Sequence, residues 1–250
     1  MAEALFWVVF LFHKEGGMTA VNQYFTAVEI GELQRRYSKV YSGVIYDTLH
    51  EDIKPLLPYV LSKAVKPAWD FEEPLCGPAF TVQGAMLTDK IHANTRYVDM
   101  LNSLYSGCIE MISSGIDNKI SVFGEITGKI AARQGAVGTI IDACTRDVKG
   151  LKKDGYKVFS EGVSMIDALD RWHIVNYEIP LPFHGEDGDV WINPGDYIFA
   201  DADGVLVIPH AAVWKVLETA EERACREDRI RAHIKNRMPI KEILETEGRW

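Results

Sequence analysis

The chain has 250 residues, of which 47% are hydrophobic, and this length and composition suit one large domain with a sizeable core. Its formal net charge is −9 and it contains no long run of Lys and Arg, which argues against a nucleic-acid-binding surface. The four cysteines form no CxxC pair and the seven histidines form no HxH or HExxH motif. Reduced, packed thiols are therefore favoured over a zinc site or disulfides.

The N-terminus carries a run of nine apolar residues, ALFWVVFLF, at positions 4–12. A membrane span takes about 20 such residues, and the run lacks the basic flank and the cleavage site of a signal peptide. We therefore predict that residues 1–17 are an extension upstream of a natural start at Met18. Residues 18–236 are predicted to form a single α/β domain, followed by a helical tail over residues 237–250. No membrane association is expected, and the expected location is the cytoplasm.

The first half of the chain is predicted to contain helices and strands in alternation. Thr26 can cap a helix over residues 26–40, a second short helix follows in SGVIYDTLHE, and residues 55–78 are predicted to be irregular. The β-branched and aromatic content predicts strands, and the intervening periodicity predicts helices. The strands cover residues 77–85, 120–123 and 136–142, and the helices cover residues 91–105 and 125–134.

Short strands separated by Pro, Gly and Asp are predicted after residue 157. They lie in KVFSEG, WHIVNYEI, DVWIN and DYIFADADGVLVIP. The Asp-Gly step of DADG predicts a hairpin turn. The alternative, a calcium loop around Asp201 and Asp203, lacks a third acidic position and a closing glutamate.

Residues 211–236 are predicted to form a long C-terminal helix. Its apolar stripe includes Val213, Leu217 and Ile230, and the helical spacing places Glu227 on the same stripe. A carboxylate on an apolar stripe needs a partner, because burying it alone is costly.

The segment GEITGKIAARQGAVGTIIDACTRD, residues 124–147, carries the main functional signal. Gly124 joins a predicted strand to a helix whose first N–H groups would form an anion site. If strand, helix and strand form a βαβ-like unit, the end of strand 136–142 delivers Arg146 and Asp147 to the same sheet edge. Arg146 would pair with an oxyanion, and Asp147 is a hard oxygen ligand suited to Mg²⁺ or Mn²⁺.

An anion cradle, a divalent cation and an arginine together suit a 2-oxo acid that reacts through an enolate. The same residues allow two other interpretations. Arg146 could form an ordinary surface salt bridge beside an ordinary helix start. A nucleotide site is disfavoured, because FGEITGK lacks the first Gly-x-Gly of a Rossmann motif and the chain lacks a P-loop.

The same segment resembles the RraA-like family, which includes the 4-hydroxy-4-methyl-2-oxoglutarate and 4-carboxy-4-hydroxy-2-oxoadipate aldolases. The family motif is a glycine and an acidic residue, twenty residues, then Arg-Asp, and here twenty residues lie between Glu125 and Arg146. YDTL, GPAFTV and PGDYIFADADGVLVIP also resemble family segments and occur in the same order. The resemblance covers roughly residues 40–235.

The resemblance implies a swivelling β/β/α fold with a C-terminal helical arm, assembled as a trimer or a dimer of trimers with sites at subunit interfaces. It implies Mg²⁺ or Mn²⁺ on Asp147, and a pyruvate-like group bound by Arg146 and by the backbone of Gly124, Glu125, Ile126 and Thr127. Glu125 would act through water on the metal. A glutamate from a neighbouring subunit is expected near the metal, with Glu227 as the candidate and Glu222 as the alternative.

The chain departs from the family pattern at Gly150, where an acidic residue is often found three positions after the aspartate. Such a residue would orient water on the metal, so its loss leaves weaker metal binding, another substrate or lost catalysis open. The resulting prediction is a metal-dependent lyase that cleaves or decarboxylates a 2-oxo acid. The alternative is a non-catalytic binding protein, such as a ribonuclease regulator, on the same scaffold.

Overall fold

The structure of the protein is a computed structural model that describes residues 23–54, 59–86, 90–116 and 119–248, and only the backbone of residues 90–95. The predicted extension over residues 1–17 lies outside this part of the chain. None of the helices found in the described residues combines the length and the apolar character that crossing a membrane requires.

Seven α-helices are found in the described residues. Thr26 caps the first, as predicted, through a capping box with Glu29. A π-helical turn at Thr48–Ile53 directly continues the second, and a 3₁₀ turn at His210–Ala212 precedes the sixth. The helices are α1 (Ala27–Tyr37), α2 (Ser42–Asp47), α3 (Lys90–Ser103), α4 (Glu125–Gln134), α5 (Val148–Asp154), α6 (Val213–Lys235) and α7 (Ile240–Glu247).

Thirteen strands accompany these helices in the described residues, and several are only two residues long. They are β1 (Lys66–Pro67), β2 (Leu75–Met86), β3 (Ile109–Ser113), β4 (Ser121–Phe123), β5 (Gly138–Ile141), β6 (Cys144–Thr145), β7 (Lys157–Ser160), β8 (Gly162–Val163), β9 (Trp172–Tyr177), β10 (Leu181–Gly185), β11 (Gly188–Ile192), β12 (Tyr197–Ala200) and β13 (Val205–Ile208).

The main sheet contains eight strands in the order β1-β7-β5-β3-β2-β12-β13, with β9 also paired to β2. Its centre, β7-β5-β3-β2, is parallel, and the outer pairings are antiparallel. The predicted hairpin is confirmed, since β12 and β13 pair across the DADG turn, where the Asp201 N–H donates to the Gly204 carbonyl at 3.0 Å. Asp201 and Asp203 also accept bonds from Ser42, so both carboxylates hold α2 in place.

The sequence-based βαβ prediction is wrong in its pairing. β5 does not pair with β4; it lies in the main sheet between β3 and β7. The chain leaves β5 at Ile141 and enters β6, which pairs in parallel with β4 in a separate three-stranded sheet, β4-β6-β8. The two-residue strand β6, rather than segment 136–142, therefore delivers Arg146 and Asp147.

The core occupies both faces of the main sheet. On one face, strand side chains such as Phe80 and Ile112 pack against the helices, with Leu33 and Tyr37 of α1 and Leu217 of α6 fully buried. On the other face a cluster containing Met111, Ile140 and Phe159 is covered by the β10-β11 hairpin through Phe183 and Val190. β3 and α5 were not predicted from the sequence, although β3 is central to this sheet.

Candidate functional site

The predicted site residues follow two neighbouring parallel strands. Gly124 comes directly after β4, and Arg146 comes directly after β6. The Arg146 N–H donates to the Phe123 carbonyl at 3.0 Å, which fixes the two strand ends side by side. The carboxyl ends of adjacent parallel strands meet at one edge, and this is why residues far apart in sequence converge here.

Gly124 provides space rather than an unusual backbone conformation. Its φ of −156° and ψ of −174° are extended values that any residue adopts. A Cβ atom at this position would lie 2.7 Å from Oδ2 of Asp147 and 3.3 Å from Cγ of Arg146. The glycine therefore lets the Arg146-Asp147 pair approach the start of α4.

The start of α4 has no side-chain cap. Gly124, as N-cap residue, supplies no side-chain acceptor, and the first intrahelical bond runs from the Gly128 N–H to the Gly124 carbonyl at 3.0 Å. Gly124, Ile126 and Thr127 line a pocket of ≈ 430 Å³ in front of this helix start. The first N–H groups and the helix dipole favour a carboxylate or phosphate there.

Asp147 adopts a left-handed backbone conformation, with φ 58° and ψ 33°. Its carbonyl accepts bonds from the N–H groups of Gly150 at 2.8 Å and Leu151 at 3.1 Å, so it also begins α5. Non-glycine residues in this region store strain, although Asp tolerates it better than most. The surrounding turn holds the Asp147 carboxylate, 47% exposed, in the wall of the pocket.

Arg146 lies between two carboxylates in the same pocket. Its Nε is 3.5 Å from Oδ2 of Asp147, and its Nη1 is 3.6 Å from Oδ2 of Asp167. Both distances exceed the roughly 2.7–2.9 Å of a strong charge-assisted hydrogen bond. The side chain is 42% exposed, so the guanidinium can turn toward an incoming oxyanion.

Glu125 points away from this pocket. Its carboxylate is bound to Lys129, whose ammonium also contacts Asp154 at 2.9 Å. These partners, Glu125 foremost, raise the pKa of Lys129. The carboxylate lies over Gly150, where a Cβ atom would collide with it. Glu125 therefore fills the space into which a side chain at position 150 would project.

Four further residues of the pocket were missed by the sequence analysis. The Tyr97 hydroxyl is 3.0 Å from Oγ1 of Thr127, and burial raises the Tyr97 pKa. Trp172 donates from Nε1 to the Ser114 carbonyl at 2.8 Å, and Asp167 and His173 are also among the lining residues. None of them belongs to a motif of recognisable spacing, so only their position in the folded chain identifies them.

The two candidate glutamates of α6 have different surroundings. Glu227 contacts the hydroxyl of Tyr41 and pairs with Nη2 of Arg231 at 2.9 Å, with its side chain 30% exposed. Glu222 is exposed. The partner that the sequence analysis required for Glu227 is thus found within its own chain, and a contribution of either glutamate to a neighbouring subunit stays a prediction.

The pocket offers limited support for a metal. Among the residues that the structure describes, no three or more His, Cys, Asp or Glu side chains are grouped to hold an ion. Asp147 is a hard carboxylate in a solvent-reached wall, and Mg²⁺ commonly binds through one or two carboxylates together with water and substrate oxygens. The donor set therefore fits an ion shared with the substrate, and does not form a cage of protein ligands.

Comparisons with known proteins agree with the resemblance seen in the sequence. Residues 46–207 match the family model described as "RraA-like: Aldolase/RraA". A Halalkalibacterium halodurans protein named "Putative 4-hydroxy-4-methyl-2-oxoglutarate aldolase" is 31% identical over 186 residues, which are 74% of this chain and 83% of that protein. Protein DlpA of Legionella pneumophila is 29% identical over 68% of this chain, but the match spans only 27% of DlpA.

A solved structure shows the same fold. It is Streptomyces coelicolor RraAS2, described as an unusual member of the RNase ES inhibitor RraA protein family. The two chains superpose with a TM-score of 0.67 at 22% identity, over 80% of this chain and 96% of the other. The predicted α/β fold of the swivelling β/β/α class, with its C-terminal helical arm, is confirmed, and the chain belongs to the RraA-like family.

Proposed function

We propose that the chain is a divalent-metal-dependent lyase that cleaves or decarboxylates a 2-oxo acid through a pyruvate enolate. The observation that carries this proposal is one pocket lined by the open start of α4, by Arg146 and by Asp147. The aldolase name of the Halalkalibacterium relative supports the same reaction class.

The carboxylate of the substrate is assigned to the start of α4. The N–H groups after Gly124 meet it without a competing side-chain cap, and the helix dipole adds a favourable field. The 2-oxo group then lies toward Arg146 and Asp147, which line the same pocket. This placement orients the bond beyond C3 toward the remaining volume of the pocket.

The reaction breaks one carbon–carbon bond and forms an enolate. In a 4-hydroxy-2-oxo acid, the C3–C4 bond breaks, its electron pair passes to C3 and the C2 oxygen, and the C4 hydroxyl loses its proton to leave a carbonyl. In oxaloacetate, the bond to the C4 carboxylate breaks and CO₂ leaves. Protonation at C3 gives pyruvate in both cases, and Arg146 stabilises the charge that develops on the C2 oxygen.

Asp147 is the residue that would hold Mg²⁺ or Mn²⁺. When bound, the ion supplies Lewis-acid polarisation of the 2-oxo group. The chain's own contribution is a carboxylate fixed by the turn into α5, with Gly124 keeping the space beside it clear.

A homo-oligomer is part of the proposal, as a trimer or a dimer of trimers. Large apolar side chains are exposed in the pocket lining and next to it in sequence: Leu169 at 76% and Ile126 at 74% line the pocket, and Met165 at 94% lies two residues before the lining residue Asp167. Such a patch beside a pocket is typical of a protein interface. A neighbouring chain covering it could bring Glu227 or Glu222 to the pocket.

A second candidate is a non-catalytic regulator that binds another protein. Two observations favour it. Glu125 contacts Lys129, and position 150 is a glycine where the family often has an acidic residue, so neither position supplies a carboxylate to a metal beside Asp147. The fold shared with Streptomyces RraAS2, described as an unusual member of the RNase ES inhibitor RraA protein family, is compatible with this role.

One assay separates the two candidates. Purified protein is given oxaloacetate or 4-hydroxy-2-oxoglutarate, and pyruvate is measured with lactate dehydrogenase. A lyase releases pyruvate, the release stops with EDTA, and it returns with Mg²⁺ or Mn²⁺. Absence of pyruvate under all conditions supports the regulator. Borohydride trapping of a lysine adduct would replace the metal mechanism with Schiff-base chemistry.

A further inference from the structure

Asp167 places a second carboxylate in the wall of the candidate pocket. Its Oδ2 lies 3.6 Å from Nη1 of Arg146, and its Oδ1 accepts from the Leu169 N–H at 3.2 Å. The backbone next to it is also held, because the Ser121 N–H donates to the Ile166 carbonyl at 2.7 Å. The carboxylate therefore has a fixed position in the lining, while its side chain stays 48% exposed.

The charged side chains of the pocket wall are unequal in sign. Of the Asp, Glu, Lys and Arg residues that the structure describes, three line this pocket: Arg146, Asp147 and Asp167. Arg146 is the cation among them and lies between the other two, with its Nε 3.5 Å from Oδ2 of Asp147. A divalent ion on Asp147 would leave a single positive charge in this wall, which the one carboxylate of a 2-oxo acid head balances.

Apolar side chains supply most of the remaining lining, among them Val122, Ala168 and Leu169. Two of these three directly follow Asp167 in the chain. In the proposed placement the substrate carboxylate occupies the start of α4 and the 2-oxo group lies toward Arg146. The part of the substrate beyond C3 therefore extends into the rest of the ≈ 430 Å³ pocket, among apolar side chains and Asp167.

We infer that Asp167 selects 2-oxo acids whose tail beyond C3 is uncharged and disfavours those that carry a second carboxylate there. This inference rests on the proposed function and adds the substrate class to it. A second carboxylate would meet the Asp167 carboxylate, and pairing with Arg146 instead would require it to displace Asp167 from Nη1. Like charges that face each other in a binding site disfavour the wrong ligand, and such repulsion is a common source of specificity.

The preference separates substrates of equal chain length. In 4-hydroxy-2-oxopentanoate, a methyl group replaces the second carboxylate of 4-hydroxy-2-oxoglutarate. Its C3–C4 bond breaks with the electron pair passing to C3 and the C2 oxygen, the C4 hydroxyl loses its proton, and acetaldehyde leaves. Protonation at C3 then gives pyruvate. Oxaloacetate carries its second carboxylate at C4 and is disfavoured for the same reason.

The test measures the binding of 2-oxopentanoate and 2-oxoglutarate, which differ only in a methyl group against a carboxylate and lack the C4 hydroxyl needed for cleavage. In calorimetry with Mg²⁺ or Mn²⁺ present, the wild type should bind 2-oxopentanoate about 3- to 10-fold more tightly, as expected for like charges a few ångströms apart at a half-exposed position. Asp167→Asn keeps the acceptor for the Leu169 N–H and removes the charge, so it should narrow this preference at least about 3-fold.

Asp189→Asn is the matched control, because Asp189 is an exposed carboxylate that lies outside this pocket. It should leave the preference unchanged. A wild type that prefers 2-oxoglutarate, or a preference that is the same in Asp167→Asn as in the wild type, overturns the inference.

A salt titration of the wild type tests the same charge effect without a variant. Raising the ionic strength from about 0.1 M to 1 M shortens the Debye length from about 10 Å to about 3 Å, so the preference for 2-oxopentanoate should narrow. A preference that salt does not change contradicts a role for the Asp167 charge.

Kinetics then separate this inference from the proposed function. The wild type should show a higher kcat/KM for 4-hydroxy-2-oxopentanoate than for 4-hydroxy-2-oxoglutarate, with pyruvate measured by chromatography. If neither is cleaved, the proposed function fails, and the binding of the two unreactive ligands still decides whether Asp167 selects the tail. If neither of those ligands binds, the inference fails as well.

Discussion

At the residue scale, Arg146 either stabilises negative charge on the substrate or serves as a structural ion-pair residue, and its variants distinguish the two roles. It is 42% exposed and touches Asp147 and Asp167 only at 3.5 and 3.6 Å, so its contribution to stability is small. Arg146→Ala should lower kcat by about 10²–10³, which is the usual cost of removing one donor to a developing oxyanion. Arg146→Lys should recover little, because the planar fork is lost. Steady-state kinetics and a melting curve check this, and a lower Tm with normal turnover would make Arg146 a structural ion-pair residue.

Glu110 gives a second prediction at this scale, concerning stability and pH. It is fully buried in β3, where Thr139 Oγ1 donates to its Oε2 at 3.2 Å, and its Oε1 has no hydrogen-bond partner among the described residues. Burial raises the pKa of Glu110 to about 7 from an ordinary value of 4.5. The folded chain therefore holds this proton more tightly than the unfolded chain, and the stabilisation present below pH 4.5 is lost as pH rises through 7.

Glu110→Gln removes this titration. Between about pH 4.5 and 7, the free energy of unfolding of the variant should therefore depend less on pH than that of the wild type. At pH 8 the variant should be more stable than wild type by up to about 3 kcal/mol, because one pKa unit corresponds to about 1.4 kcal/mol. Urea unfolding at several pH values is the measurement. Burial also raises the pKa of Glu178 to about 7. Glu178 therefore adds to the pH dependence in the same direction, and it does so in the variant as well. An unchanged pH profile would show that Glu110 is ionised without cost in the folded chain.

At the element scale, Gly150 determines how α4 meets α5. Its lack of a side chain leaves room for Glu125, which binds Lys129, and Lys129 in turn binds Asp154 at the end of α5. Gly150→Ala should displace Glu125 and weaken this link. The loss of these exposed ion pairs should offset most of the gain of up to about 1 kcal/mol that alanine brings to a helix.

Gly31 in α1 is the matched control, because a Cβ atom there would meet no atom of the described residues within 4 Å. Gly31→Ala should raise the free energy of unfolding by about 0.5–1 kcal/mol, whereas Gly150→Ala should change it little. Thermal and urea unfolding of both variants check the difference. If the two substitutions stabilise the chain equally, the Glu125–Lys129 contact contributes nothing measurable.

At the scale of the whole molecule, the exposed apolar patch predicts self-association. Met165 is 94% exposed and Leu169 is 76% exposed. The double variant Met165→Glu, Leu169→Glu places two negative charges on this apolar surface. The wild type should be an oligomer by light scattering at micromolar concentration, and the double variant should be a monomer that melts normally. Val28→Glu on α1, also an exposed apolar position at 79%, is the control and should leave the oligomer intact. A monomeric wild type would remove the proposed interface.

The local elements could be predicted from the sequence because local interactions form them. The capping box of Thr26 and Glu29 begins α1, and the Asp-Gly step closes the β12-β13 hairpin. The motif around Gly124 and Arg146-Asp147 was also visible, since its spacing is a property of the chain itself. These features together indicated the fold and the family.

The pairing of strands and the direction of side chains were decided by the tertiary structure. Periodicity could not show that β5 stays in the main sheet while the two-residue strand β6 pairs with β4, because pairing depends on which buried surfaces meet. Nor could it show that Glu125 turns to Lys129, that Glu227 pairs with Arg231, or that His173 shares a pocket with Arg146. The sequence by itself determined which chemical groups this protein carries and the local elements that hold them. Only long-range packing decided which of those groups face one another across the pocket, because such contacts join residues that share no local pattern.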